Sequence, residues 1–277
     1  MASVEEAQEV WVHAHGQLGL AVPRVMAVVN LTPDSFFDGG NLMPPGGEGP
    51  NAAMTVRRCH ALLQQGADIL DIGGESTRPG AAPVLVAQEL RRVLPALTHM
   101  LRDPDLARVP ISVDTRHAEV AAQALAAGAA IVNDVSGLAD PDMAAVVARG
   151  RAGVVVGHLR GEPMTMQASV HFTDLLGEVT RELGEAVERA LRAGGAREAI
   201  VVDPGIGFGK SFDHSAALVA SAAALRRALG VPVLIGASRK GFLGAITGAA
   251  VDRRLIASVA AAVVAVERGA SIVRVHD

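Results

Sequence analysis

The sequence predicts a TIM (β/α)8 barrel, and three observations carry that prediction. Eight short apolar runs recur at fairly even spacing along 277 residues. Helical patterns fill the intervals between them. Polar residues stand at the C-terminal end of nearly every run. The runs are VMAVVN (25–30), DILDIG (68–73), VPISVD (109–114), AIVNDV (130–135), GVVVGH (153–158), AIVVDP (199–204), PVLIGA (232–237) and SIVRVH (271–276). Each is β-branched and nearly continuous, as buried parallel strands are when both faces are covered.

The helical segments follow in order. From Ala53 to Gln65 the apolar residues fall at helical spacing, and Gly66 closes the segment. The pattern repeats from Val86 to Leu101. His117 to Ala127 is alanine-rich and stops at Gly128, a glycine placed to end a helix in the left-handed conformation. Asp174 to Ala193 is long and amphipathic, and Gly194-Gly195 ends it. Ser215 to Leu229 stops at Gly230, and Arg253 to Arg268 at Gly269. A doubly wound open sheet is the competing fold. No G-x-G-x-x-G follows the first strand, however. The strand-end residues Asn30, Asp71, Asp114, Asn133, His158, Asp203, Ser238, Arg274 and His276 converge only if the sheet closes. The last run reaches Asp277 directly, so the last helix of the barrel is missing from this chain. The segment Val4 to His15 has helical character and is expected to cover that flank. Residues 1–24 read as an N-terminal extension and 25–277 as a single domain.

Composition excludes several classes. The chain is 50% hydrophobic and 19% charged, with a formal net charge of -4 and 3% aromatics. Mild acidity and few aromatics argue against a nucleic-acid partner. Mean hydropathy is +0.32, raised by alanine and valine. No run approaches the ~20 apolar residues of a membrane span. The N-terminus MASVEEAQEVWVHAHG has acids where a signal peptide has lysines, so the expected location is the cytoplasm. Cys59 is the single cysteine, which leaves no intramolecular disulfide and fits a reducing compartment. Cys59-His60 and His13-Ala14-His15 lack partners at metal-ligand spacing. The stretch VVDPGIGFGKS (201–211) imitates a phosphate loop, but the first glycine of that pattern would fall on Pro204, which has no N–H to offer. What remains there is Asp203, a carboxylate at the end of a buried strand.

The strand ends divide by chemistry. Asp114, Asn133 and Asp203 are short acceptors, and a buried carboxylate needs donors. A ring edge with adjacent N–H groups, as in a 2-amino-pyrimidinone, suits them, with Lys240 as donor to a ring nitrogen or oxygen. Arg274 and His276 alternate around Val275 and share one side of the last strand. With Ser238, Arg239 and Lys240 they read as cations for an anion, in the corner where TIM barrels bind phosphate. The plainer alternatives are an Asp114-Thr115 helix cap and a surface pair between Arg274 and Asp277. Two polar loops punctuated by glycine and proline, 30–51 and 73–80, would rise over the mouth as lids.

Together NLTPDSFFDGG, GADILDIGGESTRPGA, ISVDT, IVNDVSG, HLRGEPMTMQ, DPGIGFGK, GASRKGFLG and IVRVHD resemble one family, dihydropteroate synthase, in order and from Val25 to Asp277. The resemblance implies a transferase of folate biosynthesis, the target of sulfonamides. Such an enzyme joins two small molecules, 6-hydroxymethyl-7,8-dihydropterin diphosphate and 4-aminobenzoate, and releases diphosphate. It implies that Asp114, Asn133, Asp203 and Lys240 hold the pterin. Arg274 and His276, with Asn30, Thr77 and a Mg2+ ion on Asn30, would bind the diphosphate. Thr77, Arg78 and Pro79 would line the aminobenzoate side, with Ser238 near the carboxylate. Asp34, Ser35 and Phe36 would lie in the first loop, which orders over the substrates. The family's homodimer, joined around the last helices, is a further implication. Two departures stand out. Gly157-His158-Leu159 replaces the family's Met-His-Met, which implies a thinner wall beside the pterin, and Ser215 replaces an asparagine. A pterin-binding methyltransferase domain shares the barrel and the acids but has no need of the STRPG loop or the paired cation sites. A non-catalytic pterin-binding paralogue is the other alternative.

Overall fold

A computed structural model describes residues 9–32, 50–78, 80–168 and 170–277. The eight predicted runs form eight parallel strands: β3 (Arg24–Asn30), β4 (Ile69–Gly73), β5 (Ile111–Asp114), β6 (Ile131–Asp134), β7 (Gly153–Gly157), β8 (Ile200–Asp203), β9 (Leu234–Ile235) and β10 (Ile272–Val275). Each pairs with its sequence neighbour, and β10 pairs with both β3 and β9. A bridge between Val202 and Val233, with Val202 N–H donating to Pro232 O (3.0 Å), closes β8 on β9. The sheet is therefore a barrel, and the open-sheet alternative is excluded.

The helices α1 (Ala52–Gln64), α2 (Val86–Arg102), α3 (Ala118–Ala127), α5 (Leu175–Arg192) and α9 (Leu255–Glu267) fall where periodicity puts them. Asn51 and Asp174 cap α1 and α5 through their side chains, and Gly128 closes α3 at φ +112°. The segment read as one helix from Ser215 is two, α6 (Phe212–Val219) and α7 (Ala222–Leu229), broken at Ala220-Ser221. Two short helices, α4 (Met143–Gly150) and α8 (Gly241–Thr247), escaped the sequence reading because each spans about two turns. No helix follows β10 among the described residues.

The N-terminal segment corrects one expectation. Residues 4–8 lie outside the described residues, and Val10–His13 is not helical. It is β1, paired antiparallel with β2 (Gly16–Gly19). Nor does it cover the flank beside β10. The hairpin lies across the N-terminal end of the barrel, where Ala14 N–H donates to Ala130 O (3.2 Å) and Trp11 Nε1 to Ala199 O (2.9 Å). Trp11 is fully buried among Met26, Ile69, Ile131, Val155, Val201, Leu234 and Ile272, and so seals the base.

That bottom layer fixes the layers above it. Side chains alternate across a strand, so residues two and four positions beyond an inward residue also face inward. From Ile69, Ile131, Val201 and Ile272 this rule places Asp71, Asn133, Asp203 and Arg274 inside, then His276 near the rim. Ile111 and Val113 pack outward against the helices, which turns Ser112 and Asp114 inward. The barrel thus has an apolar floor and a charged upper half.

Candidate active site

A cavity of about 390 Å3 opens at the C-terminal end of the strands. Of the residues singled out by sequence, Asn30, Thr77, Arg78, Asp114, Ser238, Lys240, Arg274 and His276 line it, joined by Glu75, Phe208 and Arg239. Asn133 and Asp203 do not form its lining. Asn133 is buried as the register partner of Asp114, and Asp203 stands beside Gly236, where an added Cβ would be 3.8 Å from both Asp203 Oδ2 and Arg274 Cβ. Asp34, Ser35, Phe36 and Pro79 lie outside the described residues.

The centre of the site is Arg274. Its Nε donates to Asp71 Oδ2 (2.7 Å) and its Nη2 to Asp114 Oδ2 (2.6 Å), while Asn133 Nδ2 donates to the same Asp71 oxygen (3.0 Å). The plainer alternatives do not account for the two site residues: Thr115 Oγ accepts the N–H of His117 at the start of α3 (3.1 Å) while Asp114 faces Arg274, and Asp277 pairs with Arg239 instead of Arg274. Burial pushes the Asp114 carboxyl above the usual carboxylate range against the pull of Arg274, and the nearby acids Asp71, Glu89 and Asp134 add to the rise. Asp203 is raised for the same first reason, burial, and is held by Gly205 N–H at 2.8 Å. Lys240 is drawn down to about 8 by burial, and its ammonium stands 4.0 Å from the centre of the Phe208 ring.

His276 lies beside the cations Arg274, Lys240, Arg78 and Arg239. Burial, then the charges of Arg274, Lys240, Arg78 and Arg239, draw its imidazole down to about 3, so it is neutral. Its own backbone N–H donates to Ser238 Oγ (3.3 Å), and its Nδ1 is 3.0 Å from the same oxygen. Ser238 thereby orients the ring of His276.

The second loop is tied from behind. Glu75 accepts Nε and Nη2 of Arg116 (2.8 and 3.0 Å) and Val84 N–H (3.1 Å). The fully buried Glu89 meets His117 Nδ1 at 2.7 Å. At the strand end of β7, a Cβ on Gly157 would lie 2.6 Å from Cα of Val135, so the main chain after β6 leaves that position no room for a side chain.

Sequence reasoning placed Asp71 among the converging strand ends without giving it a role, and left Glu75 and Phe208 out of the site. The signal for Asp71 was present: it stands two residues before the last residue of β4, on the inward parity. Glu75 and Phe208 sit in loops, where no period reports direction.

A closed barrel that sets carboxylates against a lysine and a neutral histidine around one arginine defines a class: enzymes that hold a donor-rich heterocycle and an anion in one cavity. The profile of the pterin binding enzyme family matches residues 26–276. The dihydropteroate synthase of Neisseria meningitidis serogroup B is 43% identical over 276 residues, covering 98% of this chain and 93% of that protein. The Yersinia pestis dihydropteroate synthase solved with a sulfonamide drug superposes with a TM-score of 0.89 at 37% identity, over 97% of this chain and 94% of its own. The Xanthomonas albilineans dihydropteroate synthase with 4-aminobenzoic acid gives 0.86 at 42% identity, over 98% and 93%. The chain belongs to the dihydropteroate synthase family of pterin-binding enzymes.

Proposed function

We propose that this chain joins 6-hydroxymethyl-7,8-dihydropterin diphosphate to 4-aminobenzoate, giving 7,8-dihydropteroate and diphosphate. The observation that carries the reading is the meeting, in one cavity of about 390 Å3, of Asp114 with Arg274, Lys240 and Arg78 from separate strand ends. In this reading the pterin donor edge lies on Asp203 and Asn133 and competes with Arg274 for Asp114. Nε of Arg274 stays on Asp71, and the end of the guanidinium turns to the diphosphate. His276, oriented by Ser238, donates a ring N–H to the departing oxygen. The inward carboxylates favour the positive charge that develops on the pterin methylene as diphosphate leaves. The aromatic amine then attacks that carbon, and the acidic arylammonium that results gives its proton to solvent or to the released diphosphate, so no strong general base is needed before attack.

Asn30 supports a Mg2+ ion only in company with the substrate. The two clusters of metal-ligating side chains among the described residues, His60 with Asp103 and Asp105 and Glu75 with Glu89 and His117, contain none of Asp71, Asp114 or Asp203. Magnesium commonly takes one or two protein oxygens and completes its octahedron with phosphate and water. Asn30 fits that part, and the bound ion would neutralise charge on the leaving group.

The homodimer of the resemblance is supported by an exposed apolar face. Ile246, Leu255, Ile256, Val259 and Val263 are exposed on α8 and α9, and α9 has no charged side along LIASVAAAVVAV. A helix apolar all round belongs in an interface. No helix of the described residues is long and apolar enough to cross a membrane, and a cytoplasmic location is part of the proposal. So is inhibition by sulfonamides.

The test is diphosphate release on mixing the chain with both substrates. Binding of the pterin diphosphate without release on adding aminobenzoate would mark a non-catalytic paralogue. Asp203→Ala is expected to abolish pterin binding, and unchanged affinity would refute the assignment.

A further inference from the structure

Lys210 is a buried ammonium that the proposed reaction does not use. Its side chain is among the largest fully buried ones in the barrel. Its Nζ reaches His158 Nδ1 (2.8 Å), Phe208 O (2.9 Å) and Gly205 O (3.3 Å). All three partners are neutral, and three acceptors match the three protons of an ammonium. Burying such a cation costs several kcal/mol, roughly, and an apolar side chain would fill the slot without that cost.

The loop explains why a cation stands there. Residues 204–209 lie backbone to backbone on the end of β7. Gly205 has φ +71°, and a Cβ on it would fall 1.9 Å from His158 O. Gly209 has φ +59°, and its Cβ would fall 2.8 Å from Arg160 O. Only glycine fits either place. The same Gly205 donates its N–H to Asp203 and offers its carbonyl to Lys210. Lys210 therefore grips the residue that grips the carboxylate. We propose that Lys210 is a positioning residue for Asp203, tying the 204–209 loop to the end of β7 and supplying a buried positive charge that keeps the carboxylate in its accepting form.

This rests on Asp203 as the acceptor for the pterin. The charged and titratable neighbours agree with it. Asp203 faces Lys240 at the start of α8, Arg274 on β10 and Lys210 on the loop. Lys210 is drawn down to about 7 by burial. Asp203 and Glu182 of α5 hold it up, while Arg160 and Lys240 oppose them. His158, which joins Lys210 to Glu182, is drawn down to about 4 by burial and then by Lys210 itself, so it stays a neutral acceptor.

The test is the pH dependence of binding of 6-hydroxymethylpterin, by calorimetry, to Lys210→Gln, Lys210→Met and Lys210→Arg. Glutamine keeps a donor and removes the charge. Removing a nearby positive charge raises Asp203 further, and a carboxyl accepts the ring edge only above its pKa, so affinity falls first on the acid side. The acid limb of the Gln and Met variants is expected to move up by about half to one pH unit, a loss of roughly three- to tenfold at a pH on that limb. Arginine, which keeps the charge, is expected to hold the limb in place. The KM for 4-aminobenzoate at saturating pterin diphosphate is expected to stay as it is. An unmoved limb in the Gln and Met variants, or a loss uniform across pH, would overturn the proposal. Should the Gln variant not fold, the Met variant alone decides by the same limb. Asp203→Asn, run in parallel, separates the two readings: if its pterin affinity is unchanged, the assignment of Asp203 has failed, and not the role of Lys210.

Discussion

Replacing Arg274 with methionine removes the one side chain that two inward carboxylates share. The guanidinium keeps about a fifth of its surface open to the cavity, at 20% side-chain exposure, while Asp71 is fully enclosed and Asp114 nearly so, at 0% and 11%. Truncating one partner of a buried pair costs about 3–5 kcal/mol, because the carboxylates left behind stay desolvated. At about 2–4 °C per kcal/mol for a chain of this size class, Arg274→Met is expected to lower Tm by about 10 °C near neutral pH. The deficit has a sign in pH. The Asp114 carboxyl is already raised in the folded protein, and Arg274 is the first influence holding it down. Without Arg274 it rises further. A raised folded pKa gives stability that is fully present below the unfolded value and is lost as pH climbs through the folded one. The gap between variant and parent should therefore open as pH climbs past about 7, the folded value in the parent, and widen until the variant's higher value is passed. Arg274→Lys should fall between them, since an ammonium cannot fork to two acids as a guanidinium does. Thermal melts by circular dichroism across that range measure it. A gap below about 2 °C, or one indifferent to pH, would refute the account of Arg274 as the shared counter-ion.

Two further outcomes are expected. Trp11→Ala opens the base of the barrel and breaks the bond to Ala199 O, which should cost about 3–5 kcal/mol and lower Tm without changing the KM for either substrate; a melt within about 2 °C of the parent would show the hairpin to be dispensable. Ile256→Glu places a charge on the exposed face of α9 and should turn a dimer into a monomer by sedimentation; a parent that is already monomeric, or a variant that still dimerises, would remove that face as the interface.

The barrel was legible because each strand carries its own record. Val201, Asp203 and the runs like them state both burial and parity, and closure follows from where their polar ends must meet. The hairpin was not legible. Acids in VEEAQEV suggest a helix, while the alternation of VWVH is only four residues long and its partner GQLG carries one apolar side chain. Asp114 and Arg274 were found as site residues and Asp71 as a strand end, but their pairing was not, since Asp71 and Asp114 lie 203 and 160 positions from Arg274 in sequence. A histidine beside an arginine at a phosphate corner reads as a second cation, and sequence does not report the burial that, ahead of four nearby cations, draws the imidazole down. Lys210 sits in a loop, where its direction becomes visible only once Gly205 is seen against His158.

The Trp11 plug makes the barrel a cup with one opening. Whatever enters must leave by the same rim, and a residue far from any bond being made, at the bottom of the cup, sets that rule.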